Sequence, residues 1–170
     1  LQLIQFYIFH EYKNEQMKIN ELKPRSEIDQ DAKSKETFLQ FKQLLSELRK
    51  RKLPEAIVLK INKDIDEINL IAFSGKAFRK KIRENQTRII RRLEKELKIV
   101  PENYYRNIWM AIGMAVFGIP LGVVFGMSLD NMTFIGIGLP IGLSIGLGVG
   151  SEMDKKAFRE GRQLDIEINN

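Results

Sequence analysis

Cysteine is absent from the 170 residues, and histidine occurs once, at His10. Without thiols there is no disulfide framework, no zinc–thiolate site and no thiol nucleophile. A single histidine cannot build a histidine metal cluster, and there is no material for a nucleophile–histidine–carboxylate relay beyond it. Charge is plentiful at 29% of the chain, yet it is missing altogether from two stretches, 108–129 and 131–151. Such segregation argues against one uniform soluble domain.

Charge of one sign is concentrated in a second place. Between Lys76 and Lys98 there are ten lysines and arginines against three glutamates, a local +7 in a chain whose total is +6. A basic block of this kind implies an anionic neighbour, either lipid headgroups or nucleic acid. Acids cluster less tellingly. Asp64, Asp66 and Glu67 are expected to spread over the solvated side of a helix, with no nucleophile or metal ligand beside them. Glu152 and Asp154 are expected to form ion pairs with Lys155 and Lys156. The chain reads as non-enzymatic, with no catalytic residue, cofactor, metal or small-molecule substrate.

The first residues, LQLIQFYIFHEYKNEQ, carry an apolar run without a cationic leader or a small-residue cleavage site, so they do not read as a signal peptide. Met17 opens a polar sequence typical of a start, and residues 1–16 stand either as an over-extended beginning or as a short ordered or membrane-touching segment. Residues 17–33 have no period and read as a loop or flexible arm, making 1–33 an N-terminal arm. From 34 to 52 the spacing turns helical, with Phe38, Phe41, Leu45 and Leu48 on one face. Pro54 opens a second helix bearing the stripe Ile57, Ile61, Ile65, Ile68 and Ala72, stopped at Ser74–Gly75. A third spans about 76–98, with Phe78, Ile82, Ile89, Leu93 and Leu97 on one side and the cations around them. Residues 34–100 thus predict a small antiparallel bundle or hairpin. Past Pro101, Tyr104, Tyr105 and Trp109 beside Arg106 have the composition of a membrane-interface belt.

The two uncharged stretches each have about the 20 residues a helix needs to cross a bilayer core. Little more than Asp130 and Asn131 separates them, so 101–151 predicts a helical hairpin with a tight turn. The second stretch contains GIGLPIGLSIGLGVG, whose strict alternation also fits a strand. Two strands cannot close a barrel, however, and open edges are not tolerated in lipid. Nor does the glycine spacing match a phosphate loop. On a helix, Gly138, Gly142, Gly146 and Gly150 form consecutive GxxxG steps, and Gly118, Gly122 and Gly126 form a matching stripe on the first stretch. The two stripes are expected to face one another. A second small-residue face, Gly136, Pro140, Ser144 and Gly148, lies about 200° around the second helix. It is expected to meet a second copy or a partner membrane protein.

FGIPLGVVFG and IGLPIGLSIG align without a gap, as an inverted repeat in a hairpin. Their prolines read as packing kinks, because no ionisable group lies inside either span to mark an ion path. Cations flank the hairpin on both sides and the turn has none, so the positive-inside rule puts both termini in the cytoplasm and Asp130 outside. The residues expected at the lipid surface are Arg79, Lys80, Arg83, Arg88, Arg91, Arg92, Lys155 and Lys156.

With its glycine-rich segments and the basic tail DKKAFREGRQLD, the hairpin resembles small bacterial membrane proteins characterised by glycine zippers. That resemblance covers about a third of the chain. It implies close helix packing and a bacterial inner membrane, and it transfers no functional residue. The expected fold is all-α, with a two-helix transmembrane hairpin after a small basic cytoplasmic helical region and before a basic tail, 152–170. The leading function is a non-enzymatic membrane protein that anchors and oligomerises through its zipper and meets lipid or a partner through its basic helices. A small oligomeric channel is the first alternative. A membrane-tethered nucleic-acid binder ranks last, because no aromatic interleaves the cations to stack bases.

Overall fold

A computed structural model describes residues 18–25, 27–28, 31–72 and 75–168. His10, Met17 and the apolar run at the start lie outside the described residues. The chain is mostly helical and divides into two compact units, one up to Leu97 and one from Lys98.

Unit 1 holds α1 (Ala32–Arg49), α2 (Glu55–Leu70) and α3 (Gly75–Leu97). Each forms where apolar residues recur every three or four positions. That stripe is buried: Phe41, Leu44, Leu45 and Leu48 from α1, Ile57, Ile61, Ile65 and Ile68 from α2, and Phe78, Ile82, Ile89 and Leu93 from α3 are all at most 1% exposed. α3 packs against both partners. Contacts at Ser34–Arg79 and Gln40–Gln86 run in the same sense, so α1 and α3 are parallel. Those at Lys60–Glu96, Asp64–Arg88 and Glu67–Lys81 run oppositely, so α2 is antiparallel to α3. Asp31 caps α1 by accepting from the Lys33 amide at 3.2 Å and the Ser34 hydroxyl at 2.6 Å. The Ser34 hydrogen bond first, and then the Arg79 guanidinium, hold the Asp31 carboxyl below its ordinary range.

Two expectations change here. Gly75, at φ +27°, opens α3 rather than closing α2, and α2 stops at Leu70, leaving Ala72 exposed. The arm over 18–25 is not free. The Asn62 side chain accepts from the Asn20 amide at 2.8 Å and donates to the Lys18 carbonyl at 3.0 Å. Asn69, two helical turns on, does the same for Lys23 (2.9 Å) and Glu21 (3.1 Å). Two side-chain amides on one helix face thus pair with an extended backbone as a neighbouring strand would. Arg25 donates to the carbonyls of Ile68, Asn69 and Ile71 at the end of α2 and lies 5.0 Å from the Phe78 ring centre. It satisfies the carbonyls that every helix C-terminus leaves open.

Unit 2 runs β1 (Val100–Glu102), α4 (Tyr104–Ser128), α5 (Ile135–Arg159) and β2 (Gln163–Glu167), with a short 3₁₀ turn at Met132–Phe134. β1 and β2 pair in parallel, Val100 opposite Gln163 and Glu102 opposite Glu167. Within the basic tail α5 continues to Arg159, and the alternating QLDIE, whose sequence fits either a short strand or a partner-docking tail, forms a strand that buries Leu164 and Ile166. Asp130, at φ 48°, ends α4 in a left-handed cap, and the Asn131 amide donates back to the Gly126 carbonyl at 2.9 Å. The Asn131 side chain then accepts from the Thr133 amide at 3.0 Å, starting the return.

Candidate functional site

α4 and α5 cross antiparallel with almost nothing between their backbones. A methyl group on Gly142 would lie 2.5 Å from both the Gly113 carbonyl oxygen and the Gly118 nitrogen. One on Gly150 would meet the Arg106 Cα at 2.5 Å, and one on Gly113 would reach the Gly146 Cα at 2.9 Å. Gly138 sits against the backbones of Gly118 and Gly122, and Gly146 against that of Trp109. The structure therefore brings Gly118 and Gly122 onto Gly138 and Gly142, with Gly146 and Gly150 continuing the seam. Gly126 is buried at its turn end. No side chain fits in this seam, which is why glycine recurs along it.

Gly113 is a seam residue that four-residue spacing misses. It stands five positions before Gly118 because Met114–Gly118 is a π-helical turn, which carries one extra residue. Pro120, two residues after Gly118, has no N–H for the carbonyl one turn back, so the helix widens where that bond is lost. Without the widening, Met114 would occupy the place of Gly113. The matching Pro140 sits in regular α-helix, and its own carbonyl accepts the Ser144 hydroxyl at 2.8 Å. The inverted repeat is thus two similar sequences with different backbones.

Asp154 is not an ion pair with Lys155 or Lys156. It is 7% exposed and accepts from the backbone amides of Tyr105 at 3.0 Å and Arg106 at 2.9 Å. These amides belong to the first turn of α4, whose own cap residue, Asn103, makes no side-chain cap. The carboxylate from α5 does that work across the seam, where a negative charge also meets the positive helix end. Glu152 does pair with Lys155, at 2.7 Å, while Lys156 lies 4.0 Å from Glu160. Arg162 pairs with Glu160 and holds its carboxyl below the ordinary range.

The second small-residue face is open. Nothing lies within 4 Å of a methyl built on Gly136 or Gly148, and Pro140 and Ser144 are exposed. Ala111 and Ala115 of α4 are exposed as well. Tyr104 and Tyr105 pack edge to face at 5.3 Å and, with Trp109, are half-buried at the strand end of the hairpin. Phe158, 71% exposed between Lys155 and Arg159, adds an aromatic to this end that composition alone did not single out.

Among the unit 1 cations expected at a lipid surface, three are already committed to internal acids. Arg88 and Arg92 grip Asp64 at 2.8 and 2.9 Å. Asp64, expected on a solvated face, is instead 2% exposed, and both its oxygens are occupied by these arginines. It lies one turn from Ile61 and Ile68, on the buried side of α2, so it needs an internal counter-charge. Arg79 pairs with Asp31. Lys80, Arg83, Arg91, Lys155 and Lys156 point outward. Glu67 pairs with Lys81 at 3.2 Å, and that hydrogen bond lowers its pKa. Among the described residues no group of three acids or histidines converges to hold a metal ion. No family model matches the chain, and no curated protein and no solved structure is significantly similar to it.

Proposed function

We propose that the protein is a non-enzymatic membrane protein, anchored by α4 and α5, whose unit 1 meets anionic headgroups or a partner. One observation supports this most strongly. Both helices have 25 residues and are long and apolar enough to span a bilayer, yet only 17% and 22% of the residues in their apolar stretches are buried. The core helix of a water-soluble domain hides its apolar face. Here Val116, Ile119, Val124 and Met127 on α4 are 54–69% exposed, while glycine fills the inside. That inversion suits a solvent of acyl chains, where side chains face outward and backbones approach.

α5 also carries the open face of Gly136, Pro140, Ser144 and Gly148. It would join a second copy or a partner helix within the bilayer. By the positive-inside rule, Arg106, Lys155 and Arg159 keep the strand end cytoplasmic and Asp130 faces outward. The test has two stages. Alkaline carbonate should leave the protein in the membrane pellet, and release into the supernatant would defeat the anchor. The protein mass in mild detergent, with bound detergent subtracted, should then be an integral multiple of 19.8 kDa above one. A monomer would assign the open face to a different protein.

A further inference from the structure

Because α1 and α3 run parallel, both begin at the same end of unit 1. An open groove of about 1100 Å³ runs along α3 and is bordered at the shared start of the two helices by α1; seven cations and two carboxylates line it. On α3 the contributors Lys76, Lys80, Arg83, Thr87 and Arg91 recur every three or four residues and so share one face. They extend over about 22 Å at 1.5 Å per residue. At the end where α3 begins, Lys33 and Glu36 of α1 border the row.

Like charges at this spacing repel and cost a helix stability. Acids could have relieved them, as Asp64 does for Arg88 and Asp31 for Arg79. Instead, Lys33, Lys76, Arg83 and Arg91 have no carboxylate within 4.0 Å among the described residues, and Lys80 has only Glu84, at 3.9 Å. Neither helix has an acid in its first turn. No aromatic side chain lines the groove, so bases would find no stacking platform. A single phosphate would leave most of the space empty and most of the cations unmatched. The guanidinium forks of Arg83 and Arg91 are suited to paired phosphate oxygens.

We propose that the groove between α1 and α3 binds clustered phosphates, supplied either by a multiply phosphorylated lipid headgroup or by a soluble polyphosphate. This deepens the reading of unit 1 as an anion-facing element and rests on that part of it, not on the hairpin.

The experiment labels the full chain, in non-ionic detergent, with an acetylating reagent, and reads each lysine by mass spectrometry. Inorganic tripolyphosphate is one probe, and micelles doped with cardiolipin are the other. Either should slow labelling of Lys33, Lys76 and Lys80 several-fold while Lys52 labels as before. The source that protects at the lower phosphate concentration is the ligand class. The double substitution Arg83→Gln, Arg91→Gln touches only exposed side chains, and its melting curve should match the parent. It should raise the half-protecting concentration about tenfold. The proposal is overturned if neither probe protects, if Lys52 slows equally, or if a short DNA duplex protects at a lower phosphate concentration than both. Carbonate extraction is scored separately, so a failed anchor and a failed groove are distinguishable.

Discussion

Among the described residues, the two units bury opposite things. In α1, α2 and α3 the buried surface is made of large side chains, Phe41, Leu44, Ile61, Ile65, Phe78 and Ile82 among them. In α4 the buried positions are Gly113, Gly118, Gly122 and Gly126, and in α5 they are Gly138, Gly142, Gly146, Gly150, Asp154 and Ala157. Unit 1 therefore hides apolar area, the arrangement that water rewards. In unit 2 the strands bury Val100, Leu164 and Ile166, but the helix pair α4 and α5 leaves its large apolar side chains outside and gains close van der Waals approach between backbones. One chain uses both solutions, and the second is the one that the proposed bilayer setting of α4 and α5 would favour. It also explains the distribution of polar groups. Unit 1 tolerates Asp64 inside because Arg88 and Arg92 are near, whereas unit 2 confines its buried carboxylate, Asp154, to the helix end.

Substitutions can break this comparison, and the largest effect belongs to the seam. Gly142→Leu inserts a side chain where even a methyl would sit 2.5 Å from backbone. It should cost more than about 3 kcal/mol and abolish the cooperative thermal transition of unit 2 in detergent. Gly148→Leu, on the open face, should change that transition by less than about 0.5 kcal/mol. If the open face joins a second copy, as proposed, this variant should instead lower the protein mass in mild detergent. If the two variants behave alike, the faces are not distinct.

In unit 1 the effect should follow ordinary core behaviour. Ile61→Ala removes a wholly buried side chain and should cost about 2–5 kcal/mol. Calorimetry should show the unit 1 transition shifted and the unit 2 transition in place. Asp64→Asn leaves Arg92 without its counter-charge and should cost about 2 kcal/mol, less than a fully buried pair because Arg88 is 42% exposed. An unchanged melting point would mean that the arginines find other partners.

A smaller loss is expected from Asp154→Ala, about 1–2 kcal/mol, because two amides at the start of α4 lose their acceptor. Hydrogen exchange should then speed up at Tyr105 and Arg106 and remain slow at Gly142. Smallest is a pH effect confined to unit 1. Asp31 and Glu67 have lowered carboxyl pKa values in the folded state. Their contribution is complete above the ordinary carboxylate range and is lost as the pH falls through the lowered folded values. Asp31→Asn with Glu67→Gln should flatten the acid limb of the unit 1 melting curve, and an unaltered limb would remove these two groups from it.

The helical stripes of unit 1 were legible in sequence because their period answers to one solvent boundary. Phe41, Leu45, Leu48, Ile57, Ile61, Ile65 and Ile68 needed no partner to be read as inward-facing. The stretches at 108–129 and 131–151 were legible for the same reason in reverse, since length and absence of charge are properties of the chain alone. Asn62 and Asn69 carried a faint signal, their spacing of seven, but nothing local says that an extended arm will lie across them. Gly113 was hidden because the π turn before Pro120 shifts the register by one.

Sequence by itself determined the segregation of charge, the location of five helices and the glycine stripes, because periodicity and composition act within a few residues. Only the tertiary structure decided that Asp64 is gripped by Arg88 and Arg92, that Asp154 caps α4 across the seam, and that 18–25 is pinned by α2. It also decided that the unpaired cations of α3 meet Lys33 in a groove. Each of these depends on residues far apart in the chain coming within hydrogen-bond or groove distance, and no local pattern encodes such distances.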